Sequence, residues 1–185
     1  MQYKFVSDRL PYDGSQLRSL FGYLDHKILG DSFISFIGPC DIPFSNMVDG
    51  EDFLARSEIR GGLMLHFIIE EFGKTLELAV TRQRLLAAIV KDELSRACHE
   101  KGFSREGDDI YVDGGKLSIS IATVSPVSAL IHFALNITNE NTPVKTSCLN
   151  DLEIGPKIFS DEVACKFLGE ISSIGDACCK VHWVK

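Results

Sequence analysis

The segment that decides the fold is residues 107–137, which read GDDIYVDGGKLSISIATVSPVSALIHFALNI. Its first part predicts a tight hairpin, because the short run Asp109–Val112 is followed by Asp113-Gly114-Gly115, residues that tolerate the positive φ of a short turn. Residues 116–124 then alternate apolar and small side chains, which predicts a half-buried strand, and 129–137 form a second β-rich run. Lys116 therefore begins a strand beside a glycine turn, where a backbone can approach a ligand closely.

The composition is that of a globular protein. The chain has 185 residues, 45% of them hydrophobic and 24% charged, which is enough for one well-buried core, so we expect one domain over 1–185. A net charge of −7 argues against a general nucleic-acid partner. No stretch has the length and apolar character of a leader or a membrane span, so we expect a cytoplasmic protein without a membrane partner. The six cysteines lack zinc-site spacing and are expected to be reduced.

The rest of the chain mixes helical and strand patterns. Helical spacing predicts helices over 15–27 and 81–101 and a final helix capped by Ser160. Strands are predicted over 3–7, 32–37 and 63–70, with a stiff turn-rich loop at 38–43 and a polar loop at 139–156. The acidic turn at 48–52 is expected to face solvent. Such an order favours an α+β fold with a mixed sheet flanked by helices.

Three patches carry a resemblance to a known family. The run DDIYVDGGKLS resembles the lipoate/biotin protein ligase pattern Asn-Asp-Ile-x-x-x-Gly-x-Lys-Ile-Ser, with Asp109, Gly114 and Lys116 in register and Asp108 in place of the asparagine. HFALNI, from His132 to Ile137, resembles the closing strand of those enzymes and of the octanoyltransferases. Arg60-Gly61-Gly62 followed by His66 resembles their glycine-rich ligand loop. As a whole the chain resembles a family of archaeal and bacterial proteins of unknown function that shares this fold.

The resemblance implies an acyltransferase or ligase. Lys116 would stabilise the acyl carbonyl or an adenylate's phosphate, with an exposed strand-edge lysine as the alternative. A ligand-binding role is implied for a set of residues from the three patches: Arg60, Gly61, Gly62, His66, Asp109, Gly114, His132 and Asn136. Cys148 lies about as far beyond Asn136 as the octanoyltransferase nucleophile lies beyond its asparagine, although the Pro-Cys-Gly context is absent. Cys40, in its Gly-Pro loop, is a comparable candidate.

Several alternatives stay open. The glycine loop lacks the longer form of ATP-using ligases, which puts adenylation in doubt, and the sequence names no cofactor. Cys40 could instead join His66 or His132 on a metal, but the spacing supports none, so no metal is predicted. The expected partners are a small acyl or carboxylate ligand and an acceptor protein. A binding module that keeps the pocket without the ATP loop is the second hypothesis, and a structural homodimer built on an exposed sheet edge is the third.

Overall fold

The computed structural model of the protein describes residues 1–140 and 145–184. Its strands and α-helices, numbered in chain order, are β1 (Gln2–Val6), α1 (Phe21–Leu24), β2 (Ser32–Ile42), α2 (Gly50–Ala55), β3 (Ile59–Phe72), α3 (Leu76–Ala97), β4 (Phe103–Glu106), β5 (Asp109–Val112), β6 (Gly115–Lys116), β7 (Ser118–Val124), β8 (Ser128–Asn136) and α4 (Pro156–Cys179). Short 3₁₀ turns lie at Phe44–Asn46 and Asn150–Leu152.

A five-stranded sheet in the order β1-β2-β3-β8-β7 forms the centre of the molecule. β1 runs parallel to β2, whereas the other neighbours are antiparallel, so the sheet is mixed. β3 is central and long because its apolar run is covered on both faces, as the composition of 63–70 predicts. The predicted α+β class is confirmed.

Helices α3 and α4 cover one face of this sheet. Thr75 caps α3 by accepting a hydrogen bond from the Leu78 amide at 3.2 Å. The main core lies between these helices and the sheet; its strand residues include Phe33, Phe67 and Phe133, each fully buried. The opposite face carries a smaller cluster that contains Ile34, Phe36, Met64 and Ile68, and chain segments with little regular structure cover it.

A three-stranded sheet, β4-β5-β6, carries the predicted hairpin. Asp113 and Gly114 both have positive φ, 51° and 72°, as a type I′ turn requires, and Tyr111 pairs with Lys116 across the hairpin. Lys116 then leads directly into β7. The hairpin prediction is confirmed, and it fixes where the Lys116 side chain leaves the backbone.

Two sequence-based elements are wrong for identifiable reasons. The helix predicted over 15–27 is reduced to Phe21–Leu24, because Leu20 has a left-handed φ of 66° and its amide donates to the buried Glu70 Oε1 at 2.7 Å. Residues 38–42 of the loop predicted at 38–43 belong to β2, which ends at Ile42. A Cβ at Gly38 would lie 1.7 Å from the Leu10 carbonyl oxygen, so the glycine permits a close chain crossing instead of a turn.

Helix boundaries also differ from prediction. α3 begins five residues before the predicted start at 81, and α4 begins at Pro156, so Ser160 lies inside it and hydrogen-bonds Ser35 at 2.8 Å. Residues 141–144 of the loop predicted at 139–156 lie outside the described residues. No helix in the described parts of the chain combines the length and apolar character needed to cross a bilayer.

Candidate functional site

A cavity of about 770 Å³ opens on the sheet face that the two long helices leave free. Its floor is formed by side chains of β3, β7 and β8, among them Met64, Ile119 and Ile121. The segments around Tyr12 and from residue 42 to residue 60 form the opposite wall. Five of the residues predicted to form the site line this cavity: Arg60, Asp109, Lys116, His132 and Asn136.

Lys116 is held in place by an ion pair within its own hairpin. Its Nζ lies 2.8 Å from Asp109 Oδ2, and both side chains are about one-third exposed at the cavity wall. An ammonium group carries three donors, so the pair with Asp109 leaves donors for a ligand. Gly114 shapes the turn and does not line the cavity.

Asn136 connects the end of β8 to the lysine strand. Its Nδ2 donates to the Lys116 carbonyl and to the Ser147 carbonyl, both at 3.2 Å, and the residue is only 4% exposed. The amide therefore links the backbone of Lys116 to the neighbouring segment that contains Ser147. This positioning role explains an asparagine at the end of a closing strand without requiring direct ligand contact.

His66 and His132 form a buried pair. His66 Nδ1 lies 3.1 Å from His132 Nε2, and His66 Nε2 lies 3.1 Å from the Gly38 carbonyl oxygen. Burial lowers the pKa of His66 to about 4; burial and the neighbouring His66 lower the pKa of His132 well below its usual value. Both rings are thus neutral at pH 7. Only His132 of the two lines the cavity.

Tyr12 is a cavity residue that the sequence reasoning missed. Its ring stacks on His132 with centroids 3.8 Å apart and on His66 at 5.1 Å, and it is 2% exposed. Burial raises the pKa of its hydroxyl. Nothing in the local pattern around Tyr12 predicts this contact, because it depends on the segment near residue 12 crossing the sheet beside Gly38.

The predicted glycine-rich loop does not exist as a loop. Arg60-Gly61-Gly62 lies within β3, where Arg60 pairs with Asp41 and Gly61 with Cys40. A Cβ at Gly61 would lie 2.8 Å from Met64 Sδ, and one at Gly62 would lie 2.6 Å from Thr138 Oγ1. The glycines therefore permit close packing, and Arg60 alone of the three lines the cavity.

Neither candidate thiol lines the cavity. Cys40 and Cys148 are each 2% exposed, and burial raises the pKa of both thiols, that of Cys40 to about 12. Within the described residues Lys116 Nζ pairs with Asp109, and no cysteine sulfur lies within hydrogen-bond distance of it. The nucleophilic roles of the two cysteines stay predictions, and this geometry does not support them.

The rim of the cavity is acidic. Asp49, Glu51, Asp52 and Glu58 line the cavity. The acidic turn at 48–52, which was expected to face solvent, therefore borders the site. Asp49 also caps α2 by accepting from the Glu51 and Asp52 amides. The sequence shows this run of acidic residues, but only the fold shows that it lies beside the cavity.

Asp108 and the candidate metal ligands can also be placed in the structure. Asp108, which stands where the ligases have asparagine, pairs with Arg84 at 3.0 Å and accepts from Gln83 Nε2 at 2.7 Å, at the cavity edge. Over residues 1–140 and 145–184, no three histidine, cysteine or carboxylate side chains cluster as metal ligands would. Both nitrogens of His66 are already hydrogen-bonded.

Comparison with known proteins supplies the family. The family model described as a domain of unknown function, DUF366, matches residues 1–182. The chain belongs to the DUF366 family. It is 32% identical over 178 residues to an uncharacterized protein of Methanocaldococcus jannaschii, covering 92% of this chain and 79% of that protein. It is also 40% identical to a protein of unknown function from Pyrococcus horikoshi, whose structure matches over 100% of both chains with a TM-score of 0.91.

More distant structures define the fold of this DUF366 protein. The biotin protein ligase of Aquifex aeolicus matches with a TM-score of 0.61 at 14% identity, over 95% of this chain and 72% of the ligase. A P. falciparum protein solved with lipoate matches with a TM-score of 0.54 at 14% identity, over 91% of this chain and 63% of that one. The predicted resemblance to the biotin and lipoate ligase fold is confirmed. Identities this low show a shared fold and do not show a shared activity.

Proposed function

We propose that this DUF366 protein binds a small acyl ligand in the cavity and transfers the acyl group from an activated donor to an acceptor. The observation that carries the proposal is Lys116, an ammonium oriented by Asp109 at the wall of a cavity whose floor includes the apolar side chains of Met64, Ile119 and Ile121. The apolar side chains suit a hydrocarbon body, and the lysine suits the carbonyl or carboxylate oxygen at its end.

Lys116 would act by stabilising negative charge on that oxygen. As the acceptor's bond to the acyl carbon forms, the carbonyl oxygen gains charge, and a preorganised donor lowers the energy of that state. Asp109 keeps the ammonium in one place at 2.8 Å, so little reorganisation is needed when the charge develops. The bond from the acyl carbon to the donor then breaks, and the leaving group takes up the proton released by the acceptor.

The charges around the cavity favour an activated donor such as a thioester over a free carboxylate with ATP. Four carboxylates form the rim, and Arg60 is engaged by Asp41 at 3.1 Å and Glu58 at 3.7 Å. A triphosphate brought to this rim would meet repulsion that one paired arginine does not offset. The strand conformation of Arg60-Gly61-Gly62 also removes the loop that would wrap a phosphate.

A second candidate is a binding module without catalysis. It is favoured by the positions of Cys40 and Cys148, which are buried outside the cavity and leave it without a thiol nucleophile. Direct transfer of the acyl group needs no protein nucleophile. The buried thiols therefore argue against a two-step transfer through an acyl-enzyme and not against direct transfer.

The binding step is tested by calorimetric titration with octanoate, lipoate and biotin. Replacing Lys116 with Met should weaken binding of the preferred acid about 10- to 100-fold, the usual contribution of a hydrogen bond to a charged group. Lys101→Met is the matched control, because Lys101 forms a similar ion pair with Asp113 outside the cavity. Equal affinities for both variants, or no binding of any acid, would contradict the proposal.

The transfer step is tested with the octanoyl thioester of N-acetylcysteamine and N-acetyl-lysine as acceptor, followed by chromatography and intact mass. We expect turnover that is lost in Lys116→Met and kept in Cys148→Ala and Cys40→Ala, with no octanoyl adduct on the protein. An adduct on either thiol would replace direct transfer by a two-step mechanism. Binding without turnover would favour the binding module.

A further inference from the structure

The two buried histidines impose a single pattern of donors and acceptors. The Gly38 carbonyl can only accept, so His66 Nε2 must carry the proton that it donates at 3.1 Å. His66 is neutral at pH 7 because it is completely buried, so its Nδ1 has no proton and accepts. His132 Nε2, 3.1 Å away, is therefore the donor of the pair.

This leaves His132 with one free nitrogen. Nδ1 of a neutral ring that is protonated on Nε2 is a bare acceptor. It makes no hydrogen bond within residues 1–140 and 145–184, and His132 lines the cavity although only 2% of it is exposed. A ligand that displaces water from this nitrogen without supplying a donor leaves the acceptor unpaired, which is costly, so a ligand that carries a donor is favoured over one that does not.

We infer that the His66–His132 pair makes this cavity select ligands that carry an N–H or O–H donor for Nδ1 of His132. This inference rests on the proposed function in taking the cavity as the ligand site, and it narrows the ligand class. A plain alkyl chain would leave the nitrogen unpaired, whereas a hydroxyl, amide or ureido group on the apolar body would pair with it. His66 is a positioning residue that fixes the tautomer.

The distance along β8 between His132 and Asn136 sets the length of such a ligand. His132, Ala134 and Asn136 lie on one face of β8, so the asparagine that holds the Lys116 backbone lies four positions after His132. Four residues of strand span about 13 Å. A ligand extended along the floor would present its carboxyl end to Lys116 and its donor to His132.

Tyr12 and Phe36 keep the pair rigid. Tyr12 stacks on His132, and Phe36 stacks on His66 with centroids 5.0 Å apart. Neither ring can turn about its Cβ–Cγ bond, which would put ring carbons in the places of the nitrogens, without displacing a packed aromatic neighbour. The acceptor is therefore preorganised before a ligand arrives, which is how a site built for one hydrogen bond rejects an analogue that lacks it.

The tautomers are measured first, on the wild-type protein labelled with ¹⁵N-histidine, by long-range ¹H–¹⁵N spectra at pH 7. We expect Nδ1 unprotonated and Nε2 protonated in both rings, and an Nδ1–H form of His132 would overturn the inference. His66→Phe should release His132 from this single tautomer, an effect that a merely structural role for His66 would not produce.

Two matched pairs of probes then measure the preference. 8-Hydroxyoctanoate should bind at least about tenfold more tightly than 8-methoxyoctanoate, and 1-octanol more tightly than its ether isomer, heptyl methyl ether. His132→Phe keeps a ring against Tyr12 but has no nitrogen, so the preference should vanish in that variant. The wild-type comparison remains decisive if the variant does not fold.

The probe pairs separate the two proposals. A preference for the alcohol over the ether with no binding of either acid supports the inference and contradicts a carboxyl ligand for Lys116. Tight but equal binding of both acids overturns the inference and leaves the proposed function standing. No preference within either pair, or no binding of any probe, overturns the inference.

Discussion

The two faces of the five-stranded sheet are built from the same strands but differ in what they contain. Toward α3 and α4, side chains such as Phe67, Phe133 and Leu135 are fully buried and apolar. Toward the cavity, the alternate positions of the same strands carry His66, His132 and Asn136. Because strand side chains alternate between faces, one stretch of sequence supplies both surfaces.

The difference lies in what covers each face. Two helices of more than twenty residues close the first, and their contact with the sheet is mainly apolar. The second is covered by irregular chain, whose backbone groups must find individual partners: the Tyr12 amide donates to the Pro39 carbonyl at 2.8 Å, and the Leu10 amide donates to the Ile37 carbonyl at 3.1 Å. The first face stabilises the fold, and the second leaves room for a ligand.

This contrast predicts a large difference in the cost of truncating the two faces. Phe133→Ala should lower the free energy of unfolding by about 3–5 kcal/mol, because its ring is fully buried against Phe67. Ile119→Ala, at a partly buried position that lines the cavity, should cost only about 1 kcal/mol. Urea denaturation measures both. Similar costs would mean that the cavity face is packed as tightly as the helix face.

The histidine pair should make the free energy of unfolding depend on pH. The cavity face would then also contribute to stability, although less than the helix face. The folded pKa of His66, about 4, lies below its ordinary 6.5, so the unfolded state binds more protons between these values. The contribution is complete above pH 6.5 and is lost as pH falls toward 4, by roughly 3 kcal/mol in total. His132 acts in the same direction.

The measurement is the free energy of unfolding from pH 7.5 to pH 4. A His66→Phe/His132→Phe double variant is the control, and its profile should be flatter over this range. Hydrogen bonds lower the pKa of Asp13 and of Asp161. Their contribution to the free energy of unfolding is lost only below about pH 3.8, which lies outside the measured range. An equal slope in the wild-type protein and the double variant would contradict the buried neutral pair.

The comparison also shows which features the sequence could predict. The hairpin, β8 and the apolar β3 were predictable because their periodicity and turn chemistry are local. So was the placement of Lys116 and Asp109 at one site, since the hairpin fixes their separation. His132 was selected by its place in a family-like strand, and the structure brings it to the cavity.

The wrong predictions share one physical cause, which is contact between distant segments. Leu20 leaves the helical region because Glu70, fifty residues away, accepts its amide hydrogen bond. Gly38 looked like a turn residue and is a crossing point for Leu10. Tyr12 enters the site through that same crossing. None of these contacts leaves a local pattern, so neither periodicity nor turn propensity could reveal them.

The smallest expected effect concerns Arg60, at the rim of the cavity face. Its ion pairs with Asp41 and Glu58 are more than half exposed, so Arg60→Met should change the free energy of unfolding by less than about 1 kcal/mol. Octanoate binding should weaken by no more than about fivefold, because the arginine is screened and already paired. Denaturation and calorimetric titration of the same samples measure the two effects.

Arg18→Met is the matched control, since Arg18 forms an exposed pair with Asp25 and does not line the cavity. It should show a similarly small change in stability and no change in affinity. A loss of affinity in Arg60→Met as large as that expected for Lys116→Met would mean that the arginine contacts the ligand's charged group directly. The acidic rim would then be neutralised when a ligand binds, and the argument against a phosphate-bearing donor would fail with it.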